Sequence, residues 1–191
     1  MMRIITGRAR GTHLVTLAGE ATRPTSERAK EAIFSALQFD LAGRVVLDLF
    51  AGSGQMGLEA VSRGAKSAVL ADASEDAVRI IRANVAKTRL EAECRVVRSD
   101  YAELLKRGGA SLPEQYDLVI LDPPYAMGAI PYALSLLVSC HRLAPGALIV
   151  CESATEDVFG QDDALAACFQ IRKKARYGVA HVTVLEWVGE A

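Results

Sequence analysis

From residue 45 onward the chain alternates between two textures. Short, nearly continuous apolar runs, VVLDLF (45–50), SAVLAD (67–72), CRVVRSD (94–100), YDLVILD (116–122) and GALIVCES (146–153), alternate with stretches whose apolar residues recur every three or four positions. An unbroken Val/Ile/Leu run predicts a strand covered on both faces, and such strands alternating with helices predict a parallel sheet between helical layers. The helical stretches lie near Gln55–Arg63, stopped by Gly64, across SEDAVRIIRANVAKT (74–88) and near Ile130–Arg142. The rhythm breaks at the carboxyl end, where FQIRKKARYG (169–178) and AHVTVLEWV (180–188) follow each other with no helix between them. That predicts an antiparallel hairpin at the sheet edge. At the amino end, RIIT (3–6) and THLVTL (12–17), joined by the turn-prone GRARG, read as two short strands. RPTSERAKEAIFSAL (23–37) reads as a helix capped by Ser26, with Ala29, Ile33, Phe34 and Leu37 at helical spacing. The expected fold is α/β: a seven-stranded, mostly parallel sheet ending in an antiparallel hairpin. A small amino-terminal β-hairpin-plus-helix extension over residues 1–40 precedes the main domain at 41–191.

Composition constrains this picture only a little. With 191 residues, 51% hydrophobic and 24% charged, the chain can bury a full core, and its formal net charge of -1 argues against a surface that grips nucleic acid everywhere. A local basic patch is compatible with that balance. Arg3, Arg8, Arg10, Arg23, Arg28 and Lys30 face only Glu20 and Glu27 in the first thirty positions, which makes them candidate phosphate contacts. The four cysteines lack zinc or redox spacing and read as buried thiols of a reducing cytosol, and the three histidines are scattered singly, so no metal site is expected. The start MMRIITGRARG has no apolar signal region, and no apolar run approaches the ~20 residues of a membrane span. A cytoplasmic protein with no membrane contact is expected.

DLFAGSGQMG (48–57) sets Gly52, Gly54 and Gly57 in the G-x-G-x-x-G spacing of a dinucleotide-type fold. Glycines let the backbone turn sharply and approach a ligand, and the following helix start favours anionic groups. An acid should close the next strand and hold ribose hydroxyls; Asp72 does so, 18 residues after Gly54 (72 − 54). Two further acids favour S-adenosylmethionine over a nicotinamide. Asp48 stands inside the strand before the glycines, where a carboxylate suits a ligand's ammonium group and opposes a pyrophosphate. Asp100 ends the third run, where it would accept the N–H of an adenine amino group.

The fourth run ends in DPPY (122–125). An exocyclic amine on a base is a weak nucleophile because its lone pair is delocalised into the ring. A site activates it by accepting hydrogen bonds from its two N–H groups, and Asp122 with the Pro123 carbonyl are such acceptors. Pro123 has a fixed φ, and Pro124 restricts Pro123 in turn, so the loop positions those acceptors rigidly. Tyr125 would stack on a base that is flipped out or already unpaired. This chemistry serves guanine N2, adenine N6 in DNA and a protein amide equally well. A non-catalytic RNA-binding assembly factor is the rival from another class; intact Gly52, Gly54, Asp72 and Asp122 speak against it.

DLFAGSGQMGLEAVSRGA together with DPPY resembles the amino-methyltransferase branch of Rossmann-like, S-adenosylmethionine-dependent enzymes. RIITGRARG, RPTSERAKEAIFSAL and the Tyr177–Gly178 pair in the closing hairpin resemble, more specifically, the RsmD family. Those bacterial enzymes methylate N2 of a guanine in 16S ribosomal RNA of the small subunit. The resemblance implies 16S rRNA within a partly assembled subunit as the substrate; a monomer is expected. It implies S-adenosylmethionine held by Asp48, Phe50, Ala51, Gly52 and Gly54, by Asp72 and Ala73, and by Asp100 and Tyr101. It further implies catalysis around Asp122, Pro123, Pro124 and Tyr125. Family members often carry Glu where Asp72 stands; the shorter side chain would still reach a ribose.

Overall fold

A computed structural model describes residues 2–16, 27–37 and 40–189, with residues 27–29 described by backbone alone. The apolar runs pair into one seven-stranded sheet in the order β3-β2-β1-β4-β5-β7-β6. The strands are β1 (Val45–Asp48), β2 (Ser67–Asp72), β3 (Cys94–Arg98), β4 (Tyr116–Leu121), β5 (Leu143–Ser153), β6 (Phe169–Tyr177) and β7 (Ala180–Trp187). The first five pair in parallel, and β7 runs antiparallel to both β5 and β6, as the missing helix between the last two runs requires. Neighbouring residues of a strand serve opposite cores. Val46 belongs to the cluster with Ile33, Phe34 and Leu58, whereas Leu47 joins the cluster with Ala133, Leu134 and Leu137. Between β1 and β4 the strand order reverses, which opens a crevice at the carboxyl ends of those strands.

The helices are α1 (Glu27–Ala36), α2 (Gln55–Ser62), α3 (Glu75–Thr88), α4 (Tyr101–Arg107), α5 (Ile130–Ser139) and α6 (Asp163–Ala167). Ser74 caps α3 by accepting from the Ala77 N–H. Two helices escape the periodicity reading because they are short. Each is announced by a capping acid instead: Asp100 accepts from Ala102 and Glu103 at the start of α4, and Asp162 from Leu165 at the start of α6. Helix α5 stops at Ser139, short of the expected Arg142, because His141 takes a left-handed φ of 54°. Two cysteines, Cys151 and Cys168, are buried as expected, while Cys94 and Cys140 are half-buried; all four are free thiols.

Among the described residues the expected amino-terminal strand pair contracts to a single antiparallel bridge, Arg3 to His13, with Ile4 N–H donating to Thr12 and Gly11 N–H to Ile4. The reason lies in where the next amides go. Ile5 and Thr6 donate to the Glu59 carboxylate at 2.8 and 3.0 Å, and Ala9 donates to the Ser62 hydroxyl at 3.0 Å. The segment is thus pinned to α2 and does not extend a ladder. Gly7 permits the approach: its φ is +86°, and a Cβ there would lie 1.8 Å from the Ser62 carbonyl oxygen. Ile4, Leu14, Ile33, Phe34 and Leu37 share one core cluster with Leu58 and Val61 of α2. Ser26, Arg23 and the side chains of Arg28 and Ala29 lie outside the described residues. No helix among the described residues is long and apolar enough to cross a membrane.

Candidate active site

The glycine loop hangs from the end of β1 by main-chain bonds, Leu49 N–H to Ile120 and Ala51 N–H to Ala71. Gly54 precedes α2 with φ 79°, a conformation that side chains disfavour. Gly57 serves packing: a Cβ there would meet Leu70 Cδ2 at 2.2 Å and Asp48 Cβ at 3.2 Å. That closeness lets the Gly57 N–H, in the first turn of α2, donate to Asp48 Oδ2 at 2.9 Å. Asp48 is only 2% exposed. Burial pushes its carboxyl up to about 7, the Gly57 N–H pulls it back, and the nearby Asp72 charge adds a further upward push.

Asp72 ends β2 and braces the loop from the other side. Its Oδ2 accepts from Gly52 N–H at 2.9 Å and its Oδ1 from Ser74 N–H at 2.8 Å. Asp100 uses Oδ1 to cap α4. Tyr101, next to it, packs against Phe50 with ring centroids 5.1 Å apart. A cavity of about 260 Å³ is lined by Phe50, Gly52, Asp72, Asp100 and Tyr101, with Ala73, Asp122 and Pro124 also on its wall. A second cavity of about 100 Å³ is lined by Asp48, Phe50, Ala51, Gly52 and Asp122, together with Lys30 and Gln55. Phe50, Gly52 and Asp122 line both, so the residue that opens the proline loop borders the space that the glycine loop builds on either side. Gly54 lines neither and acts only through the backbone turn.

The loop after β4 is stiff by construction. Pro123 is buried, Pro124 is exposed, and a 3-10 turn over Tyr125–Met127 is closed by the Met127 N–H donating to Pro124 at 2.9 Å. Asp122 is half-buried and its Oδ1 is fully covered. On the far side of this loop lies a third cavity, of about 440 Å³, between Pro123, Pro124 and Tyr125, the start of α5, and the end of β5. There the Tyr125 hydroxyl donates to Glu152 Oε1 at 3.3 Å.

The basic residues divide. Arg3, Arg8 and Arg10 are exposed on the segment pinned to α2, and Arg8 pairs with Glu93 at 2.6 Å. Lys30 departs from the expected phosphate contact. It is 1% exposed, its ammonium lies 3.1 Å from Glu59 and donates to the Arg3 carbonyl at 2.7 Å, so it faces the interior and not a polyanion. Glu59 is the hub the sequence reading missed. Fully buried, it accepts from Ile5, Thr6 and Arg63 as well as pairing with Lys30. Two cations against one acid leave this cluster with net positive charge beside the second cavity. Glu152 was also missed, although the rule that picked out Asp72 and Asp122, an acid closing an apolar run, applies equally to GALIVCES. No group of His, Cys, Asp and Glu able to hold a metal occurs among the described residues.

The loop and its cavities suit an elongated ligand with a cation at one end and a polar aromatic group at the other. Asp48 offers a buried carboxylate at one end; Asp72, Asp100 and the Phe50–Tyr101 ring pair stand at the other. A family model described as Conserved hypothetical protein 95 matches residues 2–186. Ribosomal RNA small subunit methyltransferase D of Escherichia coli strain K12 is 35% identical over 156 residues, covering 82% of this chain and 76% of that protein. The protein of the same name from Haemophilus influenzae is 34% identical over 153 residues, covering 80% and 78%. The solved structure of yhhF from Escherichia coli matches with a TM-score of 0.85 at 30% identity, covering 99% of each chain.

Proposed function

The chain belongs to the RsmD family of S-adenosylmethionine-dependent methyltransferases, and from that premise we propose that it methylates the exocyclic N2 of a guanine in small-subunit ribosomal RNA. The single observation that carries this reading is Asp122. It lines both cavities flanking the glycine loop and opens the rigid DPPY turn, so an amine acceptor and a cofactor site share one side chain.

S-adenosylmethionine, when bound, supplies an electrophilic methyl group on a sulfonium centre. In this reading Asp48 takes the ligand's ammonium, and Lys30 offers charge to its carboxylate. Gly52 and Gly54 let the backbone come close, Asp72 takes the ribose, and Asp100, Phe50 and Tyr101 frame the adenine, with Ala51 and Ala73 filling the walls. Asp122 and the Pro123 carbonyl accept the two N–H groups of the target amine, which directs its lone pair away from them. Pro124 fixes the loop, and Tyr125 stacks on the base. Preorganised acceptors of this kind act where charge develops and need no reorganisation during the reaction. Exposed Arg3, Arg8 and Arg10, joined by Arg23 and Arg28, hold phosphates, and the basic β6 run of Arg172, Lys173, Lys174 and Arg176 extends that surface. The substrate in this reading is a small subunit already carrying some of its proteins, and the enzyme acts as a monomer.

The test is transfer of a tritiated methyl group to small subunits from a strain lacking the enzyme, with free RNA and DNA as competitors. Removing one preorganised contact in a dry site costs on the order of 100-fold or more in rate. Asp122→Ala is therefore expected to lose at least that much transfer while cofactor binding, read by calorimetry, persists. Undiminished transfer by this variant, or methylation of adenine and not guanine, overturns the reading.

A further inference from the structure

The third cavity contains a buried acid to which the catalytic reading gives no task. Glu152 is 4% exposed, near the end of β5, and lines the roughly 440 Å³ space beside Pro123, Pro124 and Tyr125. That volume is ordinary for a small-ligand pocket. In the parallel pairing of β4 with β5, Leu121 lies opposite Cys151, so Glu152 stands one register step beyond, level with Asp122 at the neighbouring strand end. Asp157, the other acid on the cavity wall, accepts the N–H groups of Phe159, Gly160 and Gln161 and shapes the turn after β5.

We propose that Glu152 is the residue that selects guanine, by accepting the N1–H of the target base while Asp122 and the Pro123 carbonyl hold its amine. This inference rests on the proposed base-amine methylation and names its specificity determinant. The Tyr125 hydroxyl, which lies in the plane of its ring, reaches Glu152 Oε1 at 3.3 Å. A base stacked on that ring can turn its Watson–Crick edge toward the same carboxylate. An ionised carboxylate only accepts, and it can accept more than one donor at its two oxygens. On its Watson–Crick edge guanine offers N1–H beside the amine that Asp122 and the Pro123 carbonyl hold. Adenine offers N6–H beside an N1 lone pair, which would face the carboxylate with no proton between them. The acid thus resolves what the DPPY loop leaves open, because Asp122 and the Pro123 carbonyl serve either amine.

The experiment uses subunits reconstituted with RNA that carries either guanine or 2-aminopurine at the nucleotide the wild-type enzyme methylates. 2-Aminopurine keeps the amine and replaces N1–H by a lone pair. A hydrogen bond to a charged acceptor is worth on the order of 10- to 100-fold, so wild type is expected to favour guanine by about that factor in kcat/KM. In Glu152→Gln the side-chain amide can donate to the N1 lone pair of 2-aminopurine. The guanine preference is then expected to fall by at least about tenfold and to approach or cross unity, with S-adenosylmethionine affinity within a few-fold of wild type. Equal loss on both substrates, with the preference ratio unchanged, marks Glu152 as merely structural and overturns the inference while guanine methylation stands. Wild type turning over both substrates alike overturns it without any variant. A wild-type product on adenine overturns both this inference and the function beneath it.

Discussion

Asp48→Asn separates the fold's need for this side chain from the site's need for its charge. In the wild type the carboxyl is raised from 3.8 to about 7, chiefly by burial. At 1.36 kcal/mol per unit, a shift of about three units sets a ceiling of about 4 kcal/mol on the stability at stake. The native state holds this proton between about pH 4 and 7, whereas the unfolded chain has already lost it. The contribution is therefore complete below about pH 4, declines as pH rises, and is gone above about pH 7. Asparagine carries no charge at any pH, and its Oδ1 can still accept the Gly57 N–H that Asp48 accepts at 2.9 Å. The ligand-free variant should match wild type near pH 3 and exceed it by up to about 4 kcal/mol at pH 8.5. Urea unfolding at four pH values across that range measures the difference, and titrating groups not coupled to Asp48 cancel in the subtraction. The same substitution should weaken S-adenosylmethionine binding by on the order of 10- to 100-fold, since the ligand's ammonium loses its counter-charge. Wild type should also release a proton from Asp48 on binding near pH 7, seen as a calorimetric heat that depends on the buffer. A stability difference that stays flat with pH, or a variant that binds as tightly as wild type, refutes the reasoning.

Two further predictions concern the supports of the site. Gly57→Ala forces a Cβ to within 2.2 Å of Leu70 Cδ2 in a full core, so unfolding in urea should show a loss of about 1–3 kcal/mol, with cofactor affinity falling as Asp48 is displaced. Glu59→Gln leaves the Lys30 ammonium buried without its counter-charge, a loss of about 3–5 kcal/mol, and it weakens the acceptors of Ile5 and Thr6. Amide exchange at Ile5 and Thr6 should accelerate more than exchange in β1 or β4; protection that stays uniform would mean that the segment is held by other contacts.

What could be read in advance follows from how local each constraint is. The strands β1, β2 and β4 are fixed by their own apolar runs, and the turn after β1 by glycines whose positive φ is a property of a few neighbouring residues. The acids Asp48, Asp72 and Asp122 could be named because the end of a parallel strand is visible in the run that precedes it. The same logic would have found Glu152 had it been carried to the fifth strand. Asp100 was legible as a position near the site, but its capping of α4 was not, because a helix of 7 residues leaves too short a period to see.

Lys30 shows where local reading fails. In the run RAKEA it has polar neighbours and the look of a solvent-facing helix residue. Its burial depends on Glu59, 29 positions away (59 − 30), which sits in α2 and is itself covered by the chain at Ile5 and Thr6. No window of sequence contains that triangle. The consequence reaches the cavity wall. Because Glu59 holds two cations and two backbone amides at once, the amino-terminal segment is fastened against α2, and α2 begins at the glycine loop. Met2 and Lys30 line the same cavity as Asp48. A substitution that loosens the segment should thus be felt first as weaker cofactor affinity, before any loss of contact with RNA. That order of effects distinguishes an extension built into the cofactor site from one that merely grips the substrate.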